Sequence, residues 1–267
     1  MAAHAPKLIP GQVRLGMTVD VQALARTFPQ QTEKHLAAAS RIIGSVPLAG
    51  FGWSEAQKLG FSAQNQYGEL VQTLLDAATM DVIRKAPVQL SRLLHILELC
   101  AQDFDPPASV VGQWLKKDRP RQFQAHKHEL DQLREALKLQ MLDLEAPMDK
   151  VIGVRSRLGA LFDELMAQSI ACEWLCTVEQ IDEAARTVLL ERSQALLKTA
   201  GLVKAQQTQS MAVANQLDAL RDRIQDAVLL ALPSWMAHLA GLPAFLNDSQ
   251  RFIVRDDLRQ IIQRLKN

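Results

Sequence analysis

Seven apolar residues, Leu130, Leu133, Leu137, Met141, Leu144, Met148 and Val151, follow one another at steps of 3, 4, 4, 3, 4 and 3. A stripe with that spacing stays on one face of an α-helix and scatters over both faces of a strand. The stretch is therefore read as a helix with a coiled-coil-like seam, and Pro147 inside it either kinks the helix or starts a new turn. The composition agrees with this. Leu (40), Ala (35) and Gln (26) supply 101 of the 267 residues, whereas there are 12 Gly and a single Tyr. Helices accept that mixture, while strands favour β-branched and aromatic side chains. An all-β sandwich is excluded on these grounds. No glycine-rich loop follows an apolar strand-like run, which argues against a doubly wound nucleotide-binding fold.

The rest of the chain divides by its punctuation. Residues 1–20, with Pro6, Pro10, Gly11 and Gly16, read as an irregular arm. Residues 21–105 read as a small helical region. Helical spacing runs from Val21 to Ile43 with a break at Pro29, and a loop falls at Gly44–Gly52. Ser54 with Gln57 has a capping-box pattern, and Ser62 starts or caps the next helix. A further helix is expected to follow Pro87, forming an antiparallel hairpin with the one before it. Pro106, Pro107 and Pro120 mark residues 106–122 as a basic linker. Residues 123–267 then form a bundle or extended coiled coil of long helices. Apolar runs start at Thr177 and again around Val213, one long helix ends at Pro233, and a short amphipathic helix closes the chain with Leu258, Ile261, Ile262 and Leu265 on one side. The fold class is all-α: a small N-terminal helical region followed by long antiparallel helices.

Thirty Lys and Arg stand against 29 Asp and Glu, a net charge of +1, so no global field draws in nucleic acid. Cys100, Cys172 and Cys176 are too few, and odd in number, for a secreted disulfide framework, and no signal peptide is visible. The cytoplasm is the default location. Residues 227–247 carry no formal charge over 21 positions, about the length of a membrane span. Pro233, Pro243 and Gly241 divide that run, which favours a buried helix–turn–helix over a span; a peripheral membrane contact is the remaining reading.

Few residues suggest chemistry. Cys172 and Cys176 lie four apart, on one face of a helix, where two thiols can hold a soft metal or be oxidised together. Trp174 and Leu175 give the pair apolar surroundings, where a thiol packs as a small hydrophobe. Lys116, Lys117, Arg119, Arg121 and Lys127 form a basic cluster able to contact an anion, although Asp118, Glu129 and Asp131 interrupt it. His126 and His128 point to different sides of a helix and cannot share an ion. Asp103 and Asp105 are read as helix-terminating loop residues, and Asp256 and Asp257 as favouring the start of the last helix. Trp53, Trp114 and Trp235 are read as anchors at junctions. These residues suggest no catalytic site, no metal site and no cofactor.

Three segments carry a resemblance. They are KLGFSAQNQYGELVQTLLD (58–76) with SRLLHILELCAQDFD (91–105), WLKKDRPRQFQAHKHELDQLREALKLQMLDLEAPMDKV (114–151), and NQLDALRDRIQDAVLLALPSWMAHL (215–239). In this order they resemble the toxic anion resistance family, known for tellurite resistance, of which the chain looks like a shorter and divergent member. The resemblance implies a helical, non-enzymatic stress-resistance protein that acts through assembly with other proteins, and it brings no catalytic residue. The other reading open to this chain is a helical scaffold or adaptor unrelated to anions. It would use the Leu/Met seam to bind a partner helix or a second copy of itself.

Overall fold

The computed structural model describes residues 19–47, 50–105, 121–241 and 247–266, and every described element is helical. In chain order these are α1 (Val21–Thr27), α2 (Glu33–Ser45), α3 (Trp53–Lys58), α4 (Phe61–Ala78), α5 (Asp81–Gln102), α6 (Arg121–Asp143), α7 (Glu145–Leu175) and α8 (Glu183–Gln225). A π-helical segment (Asp226–Ala231), α9 (Leu232–Ala240) and α10 (Asp248–Lys266) follow. The chain forms two compact units, each discontinuous in sequence. Unit 1 comprises residues 1–75 and 151–212, and unit 2 residues 76–150 and 213–267. The units therefore group the helices differently from a division at the linker 106–122, of which residues 106–120 lie outside those described.

Unit 1 is built on α7 and α8. Ser169 and Glu173 on α7 meet Ser193 on α8, and Phe162 on α7 lies under Lys204 on α8. The partner number rises as the first falls, so the two helices are antiparallel. Leu158, Leu161, Leu165, Cys172, Leu189 and Leu196 belong to the core between and around them. The entry of α4 is fixed on α8. Arg192 donates from Nε and Nη2 to the Leu59 carbonyl (3.1 and 2.8 Å), and the Gln64 amide donates to Thr199 Oγ1 (3.0 Å). Between these contacts lies Gly60, whose φ of +72° suits a residue without a Cβ. Local caps set the other starts: Asp20 accepts from Gln22 N–H, Thr32 from His35 N–H, and Asp182 from Ala185 N–H.

Unit 2 packs α6 and α10 against α5, with the π-helical segment in contact with both α6 and α10. Arg92 on α5 pairs with Glu129 on α6 (2.7 Å), and Asp103 Oδ2 accepts the Gln122 N–H (2.8 Å), satisfying a first-turn donor of α6. Trp235, 2% exposed, meets Phe123 edge-to-face at 5.2 Å and anchors α9 on α6. On α10, Asn247 accepts from Gln250 N–H while the Gln250 side chain accepts from Asn247 N–H, a reciprocal cap.

Several expectations are corrected. α3 begins at Trp53, so Ser54 and Gln57 lie inside it. The reach-back contact at its start runs from Gly52 N–H to Glu55 Oε2 (3.3 Å), and Ser62 is likewise inside α4. Pro87 sits within α5, which starts at Asp81. Pro87 is exposed, so water can reach the Ile83 carbonyl for which the ring offers no N–H. The run expected from Thr177 becomes helical only at Glu183, with Val178 and Ile181 in the turn before it, and from there it and the run around Val213 are one helix, α8, of 43 residues. Nor does that helix end at Pro233: the backbone widens to π geometry over Asp226–Ala231, and the Leu232 N–H bonds to the Ala227 carbonyl. The wider turn takes up a proline that an unbroken α-ladder would reject. Trp53 is 54% exposed and so less held by packing than an anchor would be, Trp235 is buried as an anchor is expected to be, and Trp114 lies outside the described residues. Asp256 and Asp257 lie mid-helix, because α10 starts at Asp248.

Candidate functional site

The thiol pair lies at the C-terminal end of α7. Cys172 is fully buried and Cys176 half-buried; both are free thiols, and Cys176 donates weakly to the Arg186 carbonyl (3.6 Å). Trp174 and Leu175 are buried beside them. Burial pushes the Cys172 thiol up to about 12, outweighing the opposite pull of the Arg192 charge. Burial, helped by Glu173, pushes Cys176 up to about 11. Cys100 in unit 2 is pushed up to about 12, by burial first and Asp103 second. A thiol needs its thiolate form to attack or to ligate, so all three are held in the unreactive form at neutral pH.

One turn away is a buried hydroxyl pair, Ser169 Oγ and Ser193 Oγ, 2.9 Å apart. The Ser193 hydroxyl donates to Glu173 Oε1 (2.8 Å). A chain of this kind fixes the register of α7 against α8, since sliding either helix would leave buried polar groups unpaired. It has the serine and carboxylate of a hydrolytic site, but its hydrogen bonds are used within the core.

A second polar cluster joins α2 to α7. The Asp163 carboxylate takes a hydrogen bond from Lys34 on Oδ2 and meets His35 Nε2 at 2.9 Å on Oδ1. His35 is 7% exposed and edge-on to Phe162 at 6.1 Å. Burial works to raise the Asp163 carboxyl, but the hydrogen bonds and charges of Lys34 and His35 outweigh it and hold the group below the usual carboxylate range. Asp163 therefore stays ionised and orients the imidazole with Nε2–H toward it, leaving the buried Nδ1 without a hydrogen-bond partner. This pairing links residues 128 apart in sequence, and no local spacing announces it.

Of the basic cluster, Lys116, Lys117 and Arg119 lie outside the described residues. Arg121 opens α6, and Lys127 is exposed on the same helix. His126 Nδ1 meets Glu129 (3.2 Å) and His128 meets Gln132 (2.9 Å), on different sides of α6. Among the described residues, no group of three or more His, Cys, Asp or Glu is placed to hold a metal ion, and no helix is long and apolar enough to cross a membrane. The uncharged run 227–247 is helical through Ala240, with Ala227, Val228, Ala231, Leu232 and Trp235 buried; its Pro243 lies outside the described residues.

The Leu/Met seam lies inward. Leu130, Leu137, Leu144, Met148 and Val151 are buried and Leu133 and Met141 half-buried, so most of the seam packs within the chain. Large apolar side chains are nevertheless exposed elsewhere: Leu190 and Leu197 on α8, Leu229 and Leu230 on the π-helical segment, Phe252 and Ile253 on α10. Exposed apolar side chains of this kind are the surface signal that sequence reading missed, because an apolar residue on a helix is assigned to the core by default. Comparison with protein-family models, curated proteins and solved structures returns no match.

Proposed function

We propose that the chain is a non-enzymatic helical stress-resistance protein of the toxic-anion type, working in the cytoplasm through assembly with other proteins. The family part of this reading rests on the three-segment sequence resemblance. One observation supports assembly over turnover. Among the described residues, the thiols and the His35–Asp163 pair are engaged within the fold, while large apolar side chains point outward. Cys172 and Cys176 are kept protonated by burial, and Asp163 holds His35 and Lys34 against α7. Meanwhile Leu229 and Leu230 are 49% and 61% exposed, and Phe252 and Ile253 are 58% and 53% exposed. Exposed apolar pairs bury favourably only when another surface covers them.

Growth of a tellurite-sensitive bacterium with and without the expressed chain tests the reading. Raised survival supports it. Unchanged survival removes the anion part and leaves the second reading, a helical adaptor unrelated to anions, which the same exposed side chains favour.

A further inference from the structure

In unit 1 the outward line of α8 runs through Leu190, Gln194, Leu197, Gly201, Ala205, Thr208 and Ala212. All of these are exposed and none carries a charge. Their steps are 4, 3, 4, 4, 3 and 4, which keeps them on one face, away from the buried Leu189, Leu196 and Val203. The line is about 33 Å long. The outward face of a surface helix is ordinarily its charged one, so an uncharged line of this length is a departure. Gly201 is a second one. Its φ is not positive, and a Cβ placed on it would meet nothing within 4 Å. Within its own chain this glycine does nothing but weaken the helix, by about 1 kcal/mol relative to alanine. Glycine at an open position lets another backbone come close.

The spacing reads the same in both directions from Gly201. Laid antiparallel on itself about that glycine, the line sets Leu190 opposite Ala212, Leu197 opposite Ala205 and Gln194 opposite Thr208. Each leucine meets a small side chain, and the polar side chains meet each other. A parallel pairing would stack leucine on leucine at one end and small residues on small ones at the other, which leaves the second end unpacked.

We infer that this face of α8 is a docking surface for a second copy of the chain, with the two α8 helices packed antiparallel and Gly201 at the twofold axis. This rests on the assembly reading above and names its partner. The face is complementary to its own inverse, as a twofold interface requires. Its exposed flanks, Leu202 and Met211 among them, bring it to about a dozen residues a side. At the roughly 30–40 Å² per residue of ordinary interfaces, these bury about 900 Å² in total, below a standard complex. The dimer is therefore weak and forms as concentration rises. Lys198 and Lys204 are exposed beside the axis, so the two copies repel slightly there and salt relieves the repulsion.

Sedimentation velocity of the full chain over a concentration series tests this. The inference predicts a monomer–dimer equilibrium that salt does not weaken. Gly201→Leu fills the axis and should weaken the dimer about tenfold or more. The same change replaces a helix-interior glycine at an open position, so the variant should unfold no more easily than the parent. Cysteine cross-linking reads the orientation, since the chain's own thiols are held protonated. Under mild oxidation, Gln194→Cys chains mixed with Thr208→Cys chains should cross-link to each other, while neither variant alone should do so. A chain that stays monomeric throughout the series, a dimer that salt dissolves, or a dimer as tight in Gly201→Leu as in the parent would overturn the inference. Cross-linking of either cysteine variant with itself would assign a parallel pairing and overturn it too. None of these readouts involves tellurite: a monomeric chain that still protects would remove the dimer and leave the resistance reading standing.

Discussion

Gly60 lies directly against Leu196: a Cβ placed on it would fall 2.4 Å from Leu196 Cδ2 and 2.9 Å from Cδ1. Leu196 is fully buried and has little room to give way. The glycine also holds a left-handed backbone at φ +72°. Sequence and space therefore agree on one residue here, and with it α3 and α4 turn onto α8.

Gly60→Ala should destabilise unit 1 by about 2–4 kcal/mol, combining left-handed strain with overpacking. Gly68, with open space around its Cβ position and a place inside α4, should instead gain stability on replacement by Ala, by about 0.5–1 kcal/mol. Urea denaturation of both variants checks the pair, and a Gly60→Ala chain as stable as the parent would contradict the packing described.

The Asp163 cluster predicts a pH dependence with a definite sign. Its carboxyl is lowered in the folded chain relative to an unfolded value of about 3.9, so its contribution is fully present above that value. It is lost as pH falls through the folded value. The carboxylate is 29% exposed and its Lys34 partner 74%, so the effect is modest, about 1 kcal/mol. Asp163→Asn should lower stability at pH 7 and flatten the decline toward pH 3, as read by denaturant titration at both values.

The thiols should be slow to react. Cys100 and Cys172, buried and pushed up to about 12, should be alkylated by iodoacetamide only after denaturant is added. Cys176, half-buried and at about 11, should react first among the three but well below the rate of a free thiol. Mass-spectrometric labelling of the native chain resolves the order. Rapid labelling of Cys172 would return the redox reading to contention.

Two tryptophans should behave oppositely. Trp235→Ala removes the edge-to-face contact with Phe123 and leaves a buried void, at a loss of about 3–5 kcal/mol. Trp53→Ala, at an exposed position, should change stability by no more than about 0.5 kcal/mol. Thermal unfolding of the two variants distinguishes anchor from surface.

Where a side chain repeats at helical spacing, the sequence was legible. Five of the seven residues of the seam from Leu130 to Val151 are buried and Leu133 and Met141 are half-buried, although the seam crosses from α6 to α7 at the single non-helical residue Leu144. Pro147 falls in the first turn of α7, where its missing N–H leaves no gap in the ladder. Proline misled elsewhere. Pro87 is carried inside α5 and Pro233 is absorbed by π geometry, because solvent or a wider turn can satisfy what the ring leaves unpaired. The two apolar runs of α8 look separate in the sequence because the largely polar residues from Lys204 to Gln209 offer no stripe, yet the helix continues through them. The burial of Cys172 was legible from its apolar neighbours. The His35–Asp163 and Arg192–Leu59 contacts join positions more than 120 residues apart and leave no local pattern to read.

Under the proposed function, protection runs through exposed surface and not through thiol chemistry. Its most direct test is the minimum inhibitory concentration of tellurite for a sensitive strain expressing three versions of the chain. These are the parent, the double variant Cys172→Ser with Cys176→Ser, and the surface double variant Leu229→Glu with Leu230→Glu. The parent and the cysteine variant should protect equally, while the surface variant should keep its helical circular dichroism and lose protection. Protection lost with the cysteines and kept by the surface variant would contradict it.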